Sequence, residues 1–201
     1  MNSPSLLRAA ALFAGLLGLA MAAPAHAEVT AKGESGFVIH LEADVAQPPA
    51  AVWPVLISPA KWWSGEHTYS RDSANLFLDA QASGCFCELL PKPQDAPEGQ
   101  RRGSVEHMRV LAARPGVALR MAGALGPLQG EALNGTLTIT LGGTKEGTHL
   151  VFDYVVGGYS RFKLEEIAPA VDKVLGEQLT RLVDAAQAPP ADAPTPPAQA
   201  K

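Results

Sequence analysis

The sequence has few cysteines, no strong excess of either charge and no long uninterrupted apolar segment. Two cysteines in 201 residues are too few for a disulfide-dense scaffold, so an apolar core must hold the fold. A net charge of −4 argues against nucleic acid or an anionic membrane as a partner. The apolar run at residues 9–23 is shorter than the about 20 residues of a membrane-spanning helix, so we predict no membrane span.

Several motifs of catalytic and metal-binding proteins are also missing. There is no G-x-x-x-x-G-K-[ST] loop, which argues against an ATPase, and no Ser/His/Asp nucleophile signature. There is no C-x-x-C or paired-histidine motif, because His67, His107 and His149 are scattered. The sequence therefore predicts no metal site and no cofactor, and it leaves open whether the protein is an enzyme.

The two ends of the chain differ in composition from its middle. Arg8, the apolar run and the small residues "AHA" at 25–27 form the pattern of a secretory signal peptide. We expect residues 1–27 to be cleaved and the protein to be periplasmic or secreted. Residues 188–201 are rich in proline and alanine, which predicts a disordered tail. Residues 29–187 fit one domain without internal repeats.

Alternating apolar residues predict a mainly β domain that ends in a helix. A first strand at residues 36–45 is followed by a helix that ends at Pro59, and then by a short second helix or turn with Trp62 and Trp63. Six further strands are predicted at residues 75–80, 84–90, 104–113, 117–123, 135–141 and 148–156. An apolar stripe at helical spacing predicts a long helix over 163–186. The expected fold class is α+β, a curved antiparallel sheet of six to seven strands around that helix, with an internal cavity.

Three segments carry a resemblance to a known family: "VWPVLISPAKWWS", "GSVEHMRVLAARPGVALRM" and "LEEIAPAVDKVLGEQLTRLV". Together with "GCFCE" they resemble the START-like or SRPBCC superfamily, and within it the homologues of the activator of the heat-shock chaperone ATPase. The resemblance implies a helix-grip fold with two short helices after the first strand. It also implies either binding of a small hydrophobic ligand or cyclase and dehydratase chemistry. The predicted signal peptide argues against a cytosolic chaperone partner.

Both cysteines lie in "GCFCE", residues 84–88. In a regular strand Cys85 and Cys87 share one face, and their Cα atoms are about 6.6 Å apart, so a disulfide between them needs a kink or bulge. Apolarity alone would turn the cysteines inward, whereas the family resemblance implies that Phe86 and Glu88 face the cavity. We expect structural cysteines rather than metal ligands, and the sequence leaves their redox state open.

A polar pair is the most specific feature of the expected cavity. If Val105 faces inward, alternation brings His107 in with it, onto the strand next to Glu88. The two side chains are then expected within direct or one-water reach, as a structural pair, a polar ligand anchor or an acid–base pair. The glycine-rich segment at residues 123–130 is either a lid or a turn. The expected ligand-contacting residues are Trp63, Phe86, Glu88, His107, Met121, Phe152 and Tyr154.

Two functions follow as hypotheses. The first is a periplasmic or secreted binding protein for a small lipid-like or aromatic molecule, whose buried apolar surface supplies the affinity. The second is a cyclase- or dehydratase-type enzyme that uses Glu88 and His107. The sequence identifies neither the ligand nor the oligomeric state.

Overall fold

The computed structural model describes residues 26–188. The predicted signal peptide, apart from its last two residues, and the predicted tail from residue 189 onward lie outside this range. The predicted cleavage and the predicted disorder therefore remain predictions.

One antiparallel sheet of eight strands makes up most of the structure. The strands are β1 His26–Gly33, β2 Gly36–Val45, β3 Leu76–Leu78, β4 Cys85–Leu89, β5 Ser104–Arg114, β6 Ala118–Ala122, β7 Ala132–Gly143 and β8 Thr148–Tyr159. Their order across the sheet is β1-β2-β8-β7-β6-β5-β4-β3. The expected count of six to seven strands is wrong because β1 was missed. As an edge strand with one neighbour, β1 needs few apolar residues, and Val29 is its one large apolar side chain.

The inner face of the sheet follows the predicted alternation. Phe37, Ile39 and Leu41 of β2 are buried, as are the alternate apolar residues of β7 and β8. Because β2, β8 and β7 are paired over most of their lengths, these residues form one continuous apolar surface. This surface is the core against which the helices pack.

Two α-helices and four short 3₁₀ turns complete the fold: α1 Pro49–Leu56, α2 Leu164–Gln187, and turns at Pro59–Lys61, Gly65–His67, Ser73–Asn75 and Gly126–Gly130. The predicted second short helix is a pair of 3₁₀ turns, because Pro59 prevents α1 from continuing. The long C-terminal helix is confirmed. No helix within residues 26–188 is long and apolar enough to cross a membrane.

The position of α2 leaves part of the sheet open. The helix packs mainly against β1, β2 and α1, at one side of the sheet. The strands β4 to β6 at the other side are covered instead by the loop after α1 and by the β6–β7 connection. A space remains between these coverings and α2, and it forms the candidate site.

Candidate functional site

A β-bulge in β5 brings His107 into the interior. Phe86 pairs with Met108 and Cys87 pairs with Glu106, so His107 has no opposite residue in β4. As a result His107 and Met108 are both buried, at 4% and 1% exposure. His107 faces inward as the sequence predicted, and Val105, which pairs with the buried Glu88, lies on the same face of β5 and is half-buried. Strand alternation changes phase at the bulge.

Glu88 lies beside His107 on the inner face of β4 and is fully buried. The predicted direct contact is confirmed, because His107 Nε2 lies 3.0 Å from Glu88 Oε2. The expectation was incomplete, however, since the carboxylate has two further donors. The amide of Tyr69 donates to Oε2 at 3.0 Å, and the amide of Ser70 donates to Oε1. Three donors therefore hold a carboxylate that has no access to water.

The environment of the pair fixes its protonation. Burial acts to raise the pKa of Glu88, but the hydrogen bonds from Ser70, Tyr69 and His107 outweigh it and leave the pKa below its ordinary value. Burial lowers the pKa of His107 by more than the neighbouring Glu88 raises it. At neutral pH the pair is therefore a carboxylate and a neutral imidazole. A carboxylate only accepts, so the ring proton lies on Nε2 and Nδ1 carries a lone pair.

A groove of about 470 Å³ opens next to this pair, within the usual size range of small-molecule sites. One wall is α2, the second is the loop after α1, and the third is the β6–β7 connection, with His107 between them. The lining residues are Trp63, Glu66, His67, Thr68, Tyr69, His107, Leu125, Gly126, Pro127, Leu128, Ile167, Ala170, Val171, Val174 and Leu175. The surface is mostly apolar, and its polar side chains are those of residues 66–69 and His107.

His107 lines this groove, and its Nε2 is held by Glu88. Nδ1 makes no hydrogen bond to any residue of the described chain and is not sealed from solvent. Because the ring lines the groove, the Nδ1 lone pair is available to a donor inside it. The rings of Tyr69 and Phe86 lie next to it, with centroids 5.9 and 5.0 Å from the imidazole. The imidazole is thus an oriented hydrogen-bond acceptor in apolar surroundings.

The apolar stripe of α2 contributes side chains both to the core and to the groove. Leu175, Leu179 and Leu182 are buried in the core. Ile167 and Val171 are only half-buried and line the groove. The sequence showed the stripe, but the stripe did not show that two of its residues, Ile167 and Val171, border an open groove.

Polar contacts hold the walls in place. Gln178 of α2 is fully buried and accepts the Ser64 amide at 2.8 Å, and Arg181 Nε donates to the Trp62 carbonyl at 2.9 Å. These contacts fix the loop after α1 to the helix. Across the groove, the Tyr69 hydroxyl donates to the Gly126 carbonyl at 3.2 Å. The loop and the β6–β7 connection are therefore joined at this edge of the groove.

Tyr154 is hydrogen-bonded to the β6–β7 connection, which forms the third wall of the groove. Its hydroxyl accepts the Leu125 amide at 3.1 Å and donates to the Gly123 carbonyl at 3.2 Å. Burial raises the pKa of Tyr154 to about 12, so the hydroxyl stays protonated. A Cβ at Gly135 would lie 2.5 Å from the Tyr154 ring, so only glycine fits there. The segment at 123–130 contains a 3₁₀ turn with buried Leu128.

The expected ligand-contacting residues separate into three groups. Trp63 and His107 line the groove. Phe86 and Met121 line, together with Trp63, a second space of about 10 Å³, whose apolar walls offer no hydrogen bonds to a water molecule. Glu88 lies behind His107, whereas Phe152 and Tyr154 are fully buried in the core and line neither space.

Several residues that line the groove were not predicted from the sequence. These include Leu125, Leu128, Ile167 and Val171. In the sequence they are apolar residues of the glycine-rich segment at 123–130 and of the apolar stripe of α2. Their convergence depends on the packing of α2.

The two cysteines are joined by a disulfide. Their Cα atoms are 5.4 Å apart, closer than in a regular strand, and the β4–β5 register shifts between Phe86 and Cys87, as the predicted need for a bulge requires. Sulfurs of Cys85 and Cys87 lie near the Glu106 carboxylate, but a disulfide offers no thiolate to a metal ion. Neither cysteine lines the groove.

No family model matches the chain, and no curated protein matches it. Solved structures with a similar fold do exist. A protein of unknown function from Staphylococcus aureus is 12% identical, with a TM-score of 0.54, and the alignment covers 76% of this chain and 94% of that one. An uncharacterized protein from Rhizobium leguminosarum is 16% identical, with a TM-score of 0.53 and coverage of 81% and 97%. A protein of unknown function from Enterococcus faecalis is 14% identical, with a TM-score of 0.52 and coverage of 82% and 79%. Identities this low show similarity of fold alone.

Proposed function

We propose that this chain is a helix-grip protein of the START-like superfamily that binds a small hydrophobic molecule with one polar end, in the periplasm or outside the cell. The location rests on the signal-peptide pattern at residues 1–27. The superfamily assignment rests on the three resembling segments and on an antiparallel sheet that packs against a long C-terminal helix.

The observation that supports the proposal best is the groove of about 470 Å³ beside α2. Ile167, Val171 and Val174 turn apolar side chains toward a space that no described residue fills. A ligand that covered them would gain about 25 cal/mol for each Å² of apolar surface removed from water, before the costs of association. Such a groove favours a flat or elongated apolar molecule.

The polar end of the ligand is assigned to His107. Because Glu88 holds Nε2–H, the free Nδ1 accepts and does not donate. The groove therefore favours a ligand with a hydroxyl donor over one with a carbonyl or a carboxylate at this end. The negative charge of Glu88 behind the ring adds to this preference.

A matched pair of ligands tests the assignment. 2-Naphthol and 2-methylnaphthalene have similar shapes, and one carries a hydroxyl where the other has a methyl group. Titration followed by the intrinsic fluorescence of the three tryptophans should show tighter binding of 2-naphthol, by roughly 2- to 12-fold for one hydrogen bond of about 0.5–1.5 kcal/mol. His107→Phe should abolish this preference and retain binding of 2-methylnaphthalene.

A second pair of variants tests the place of binding. Val171→Asp introduces a charge into the groove and should weaken binding of both probes. Val155→Asp makes the same change on the outer face of β8, where Val155 is exposed, and should have no effect. Equal effects of the two variants, or no binding of either probe to the native protein, would refute the proposal.

The Glu88–His107 pair also supports a second candidate function, a cyclase- or dehydratase-type enzyme. A neutral imidazole oriented by a carboxylate is the usual arrangement of a general base. Benzoylacetone in D₂O would test it, because a base at Nδ1 removes a proton from the carbon between the carbonyls and a deuteron returns from solvent. Exchange faster than in buffer, and lost in His107→Phe, would favour the enzyme. Binding without exchange would favour the binding protein.

A further inference from the structure

The two halves of the Cys85–Cys87 disulfide differ in accessibility. Cys85 is half-buried, whereas Cys87 is buried, at 7% exposure. Cys85 is therefore the half of the bond that a thiol from solvent can approach, and Cys87 lies behind it. This arrangement suits thiol–disulfide exchange, in which an incoming thiol attacks one sulfur and the other sulfur leaves.

The fold protects this disulfide only weakly against reduction. The bond joins two cysteines with one residue between them, and the chain-entropy contribution of a disulfide is small for so short a loop. By thermodynamic linkage, the fold stabilises the bond by the same amount as the bond stabilises the fold. Accessible disulfides that are held weakly are the ones that exchange with other thiols.

One carboxylate lies close to both sulfurs. A carboxylate oxygen of Glu106 and the Sγ atoms of Cys85 and Cys87 all lie within 4.8 Å of one another, because Glu106 pairs with Cys87 beside the bulge. Arg109 donates a hydrogen bond to Glu106 and so holds the carboxylate in position. Exchange moves a proton from the attacking thiol to the leaving sulfur, and a carboxylate beside both sulfurs can carry that proton.

An exposed aromatic side chain lies on the same face as the disulfide. Phe77 of β3 pairs with Cys87, so the two side chains share a face of the sheet, and Phe77 is 43% exposed. Because β3 is the last strand of the described sheet, a substrate can reach this face from the edge. The apolar ring favours a peptide with an apolar residue beside its cysteine.

We propose that the Cys85–Cys87 disulfide oxidises pairs of thiols in cysteine-containing polypeptides. A substrate thiol attacks Sγ of Cys85, the bond between the two protein sulfurs breaks, and Glu106 passes the proton of that thiol to Sγ of Cys87. A second substrate thiol then attacks the substrate sulfur of the mixed disulfide and releases Cys85 as a thiol. The substrate thus becomes a disulfide, and both its electrons and its protons pass to the two cysteines.

A low-molecular-weight disulfide, such as oxidised glutathione, regenerates the protein disulfide by the same exchange in reverse. A location in the periplasm or outside the cell, as proposed above, would keep the pair oxidised between reactions. The activity uses no residue assigned to ligand binding in the groove, so it does not depend on what the groove binds.

Oxidation of a synthetic peptide tests the proposal. The peptide carries two cysteines with a phenylalanine beside one of them, oxidised glutathione is the oxidant, and mass spectrometry follows disulfide formation. Catalytic amounts of the full mature protein should accelerate the oxidation in proportion to their concentration. The Cys85→Ser, Cys87→Ser double variant, with its fold verified by circular dichroism, should lose this acceleration entirely. No acceleration by the native protein, or acceleration that the double variant retains, would overturn the proposal.

Single cysteine variants test which sulfur is attacked. Cys87→Ser keeps the accessible sulfur and should form a mixed disulfide with oxidised glutathione rapidly. Cys85→Ser keeps only the buried sulfur and should react more slowly. A faster reaction of Cys85→Ser would overturn the assignment of Cys85 as the attacked residue.

Two matched pairs of variants test the other two side chains. Glu106→Gln should slow peptide oxidation by at least about 10-fold, since a general base usually contributes more than that, whereas Glu34→Gln, at an exposed site in the β1–β2 turn, should not. Phe77→Ser should raise KM by roughly 3- to 10-fold for partial burial of one aromatic side chain and leave kcat unchanged. Phe162 has a similar exposure of 45%, and Phe162→Ser should change neither value. Equal effects within a pair would overturn the role of Glu106 or of Phe77.

Discussion

Glu88 is the residue on which the geometry of the site depends most. Its carboxylate is fully buried and joins β4 to two other parts of the fold: the bulge of β5 through His107, and the loop after α1 through the amides of Tyr69 and Ser70. It therefore fixes the loop that forms one wall of the groove and, at the same time, the orientation of the imidazole. Its role is that of a positioning residue behind the groove.

Substitutions of Glu88 and His107 should show that Glu88 contributes more to stability than His107 does. Glu88→Gln offers one acceptor oxygen to two amide donors, so a buried donor is left unpaired, and we expect a loss of about 2–3 kcal/mol in unfolding free energy. His107→Phe leaves both amide bonds to Glu88 in place and should cost about 1 kcal/mol. Urea denaturation measures both values. A larger loss for His107→Phe would mean that the imidazole, and not the amides, is the main partner of Glu88.

The buried His107 should also make stability depend on pH. Burial lowers its pKa in the fold below the 6.5 of an exposed histidine, so below about pH 6.5 the unfolded chain binds a proton that the fold does not. Stability from this residue is therefore full above that pH and falls as the pH drops. His40 acts in the opposite direction, because hydrogen bonds to Asp153 and Glu42 raise its pKa.

Comparison with His107→Phe isolates the effect of this one residue. In urea denaturation at about pH 7 and about pH 5, the advantage of the native protein over the variant should shrink at the lower pH. An advantage that stays constant, or grows, would show that His107 is protonated in the fold.

The disulfide should contribute little to stability and nothing to binding. It closes a loop of three residues, for which the chain-entropy estimate is about 1.6 kcal/mol, and neither cysteine lines the groove. Iodoacetamide should add no mass to the native protein until a reductant is present. After reduction, binding of 2-naphthol should be unchanged. Alkylation without a reductant, or loss of binding after reduction, would contradict this account of Cys85 and Cys87.

Among the elements, α2 combines the structural and the binding surfaces. Its C-terminal half is buried against the core, and its N-terminal half contributes Ile167 and Val171 to the groove. The two halves should therefore respond differently to the same kind of substitution.

Leu179→Ala and Val171→Ala form the corresponding pair of variants. Leu179 is fully buried, so its truncation should cost about 2–5 kcal/mol in unfolding free energy. Val171 is half-buried, and its truncation should cost about 1 kcal/mol or less while it weakens binding of 2-naphthol. Thermal or urea denaturation together with the fluorescence titration measures both effects. A loss as large for Val171→Ala as for Leu179→Ala would mean that the groove is closed in solution and filled by protein.

The element scale also shows what the sequence could predict. Regular alternation and a helical stripe were enough to identify β2, β7, β8 and α2, because each has one apolar face that must be buried. The bulge at His107 breaks the alternation, and its position is set by the pairing of β4 with β5. Sequence alone therefore predicted that Glu88 meets His107, but not that Tyr69 and Ser70 complete the contact.

At the scale of the whole molecule, the groove exists because α2 covers only one side of the sheet. The strand β1, which the sequence did not reveal, widens the sheet on the side where α2 packs. The helix then lies over β1 and β2, and the opposite strands receive only loops. The sequence suggested a cavity, but its position between α2 and the β6–β7 connection depends on this displacement. The groove is thus a property of the complete fold.

The central claim is that this groove, and no other surface, binds a small apolar molecule with a hydroxyl group. Titration of ¹⁵N-labelled protein with 2-naphthol, followed by amide chemical shifts, tests the claim most directly. The account predicts saturable shifts at residues 66–69, at His107 and at residues 125–128 and 167–175, and none on the outer strand residues around Val155. Shifts confined to the outer face, or none at saturating 2-naphthol, would contradict it.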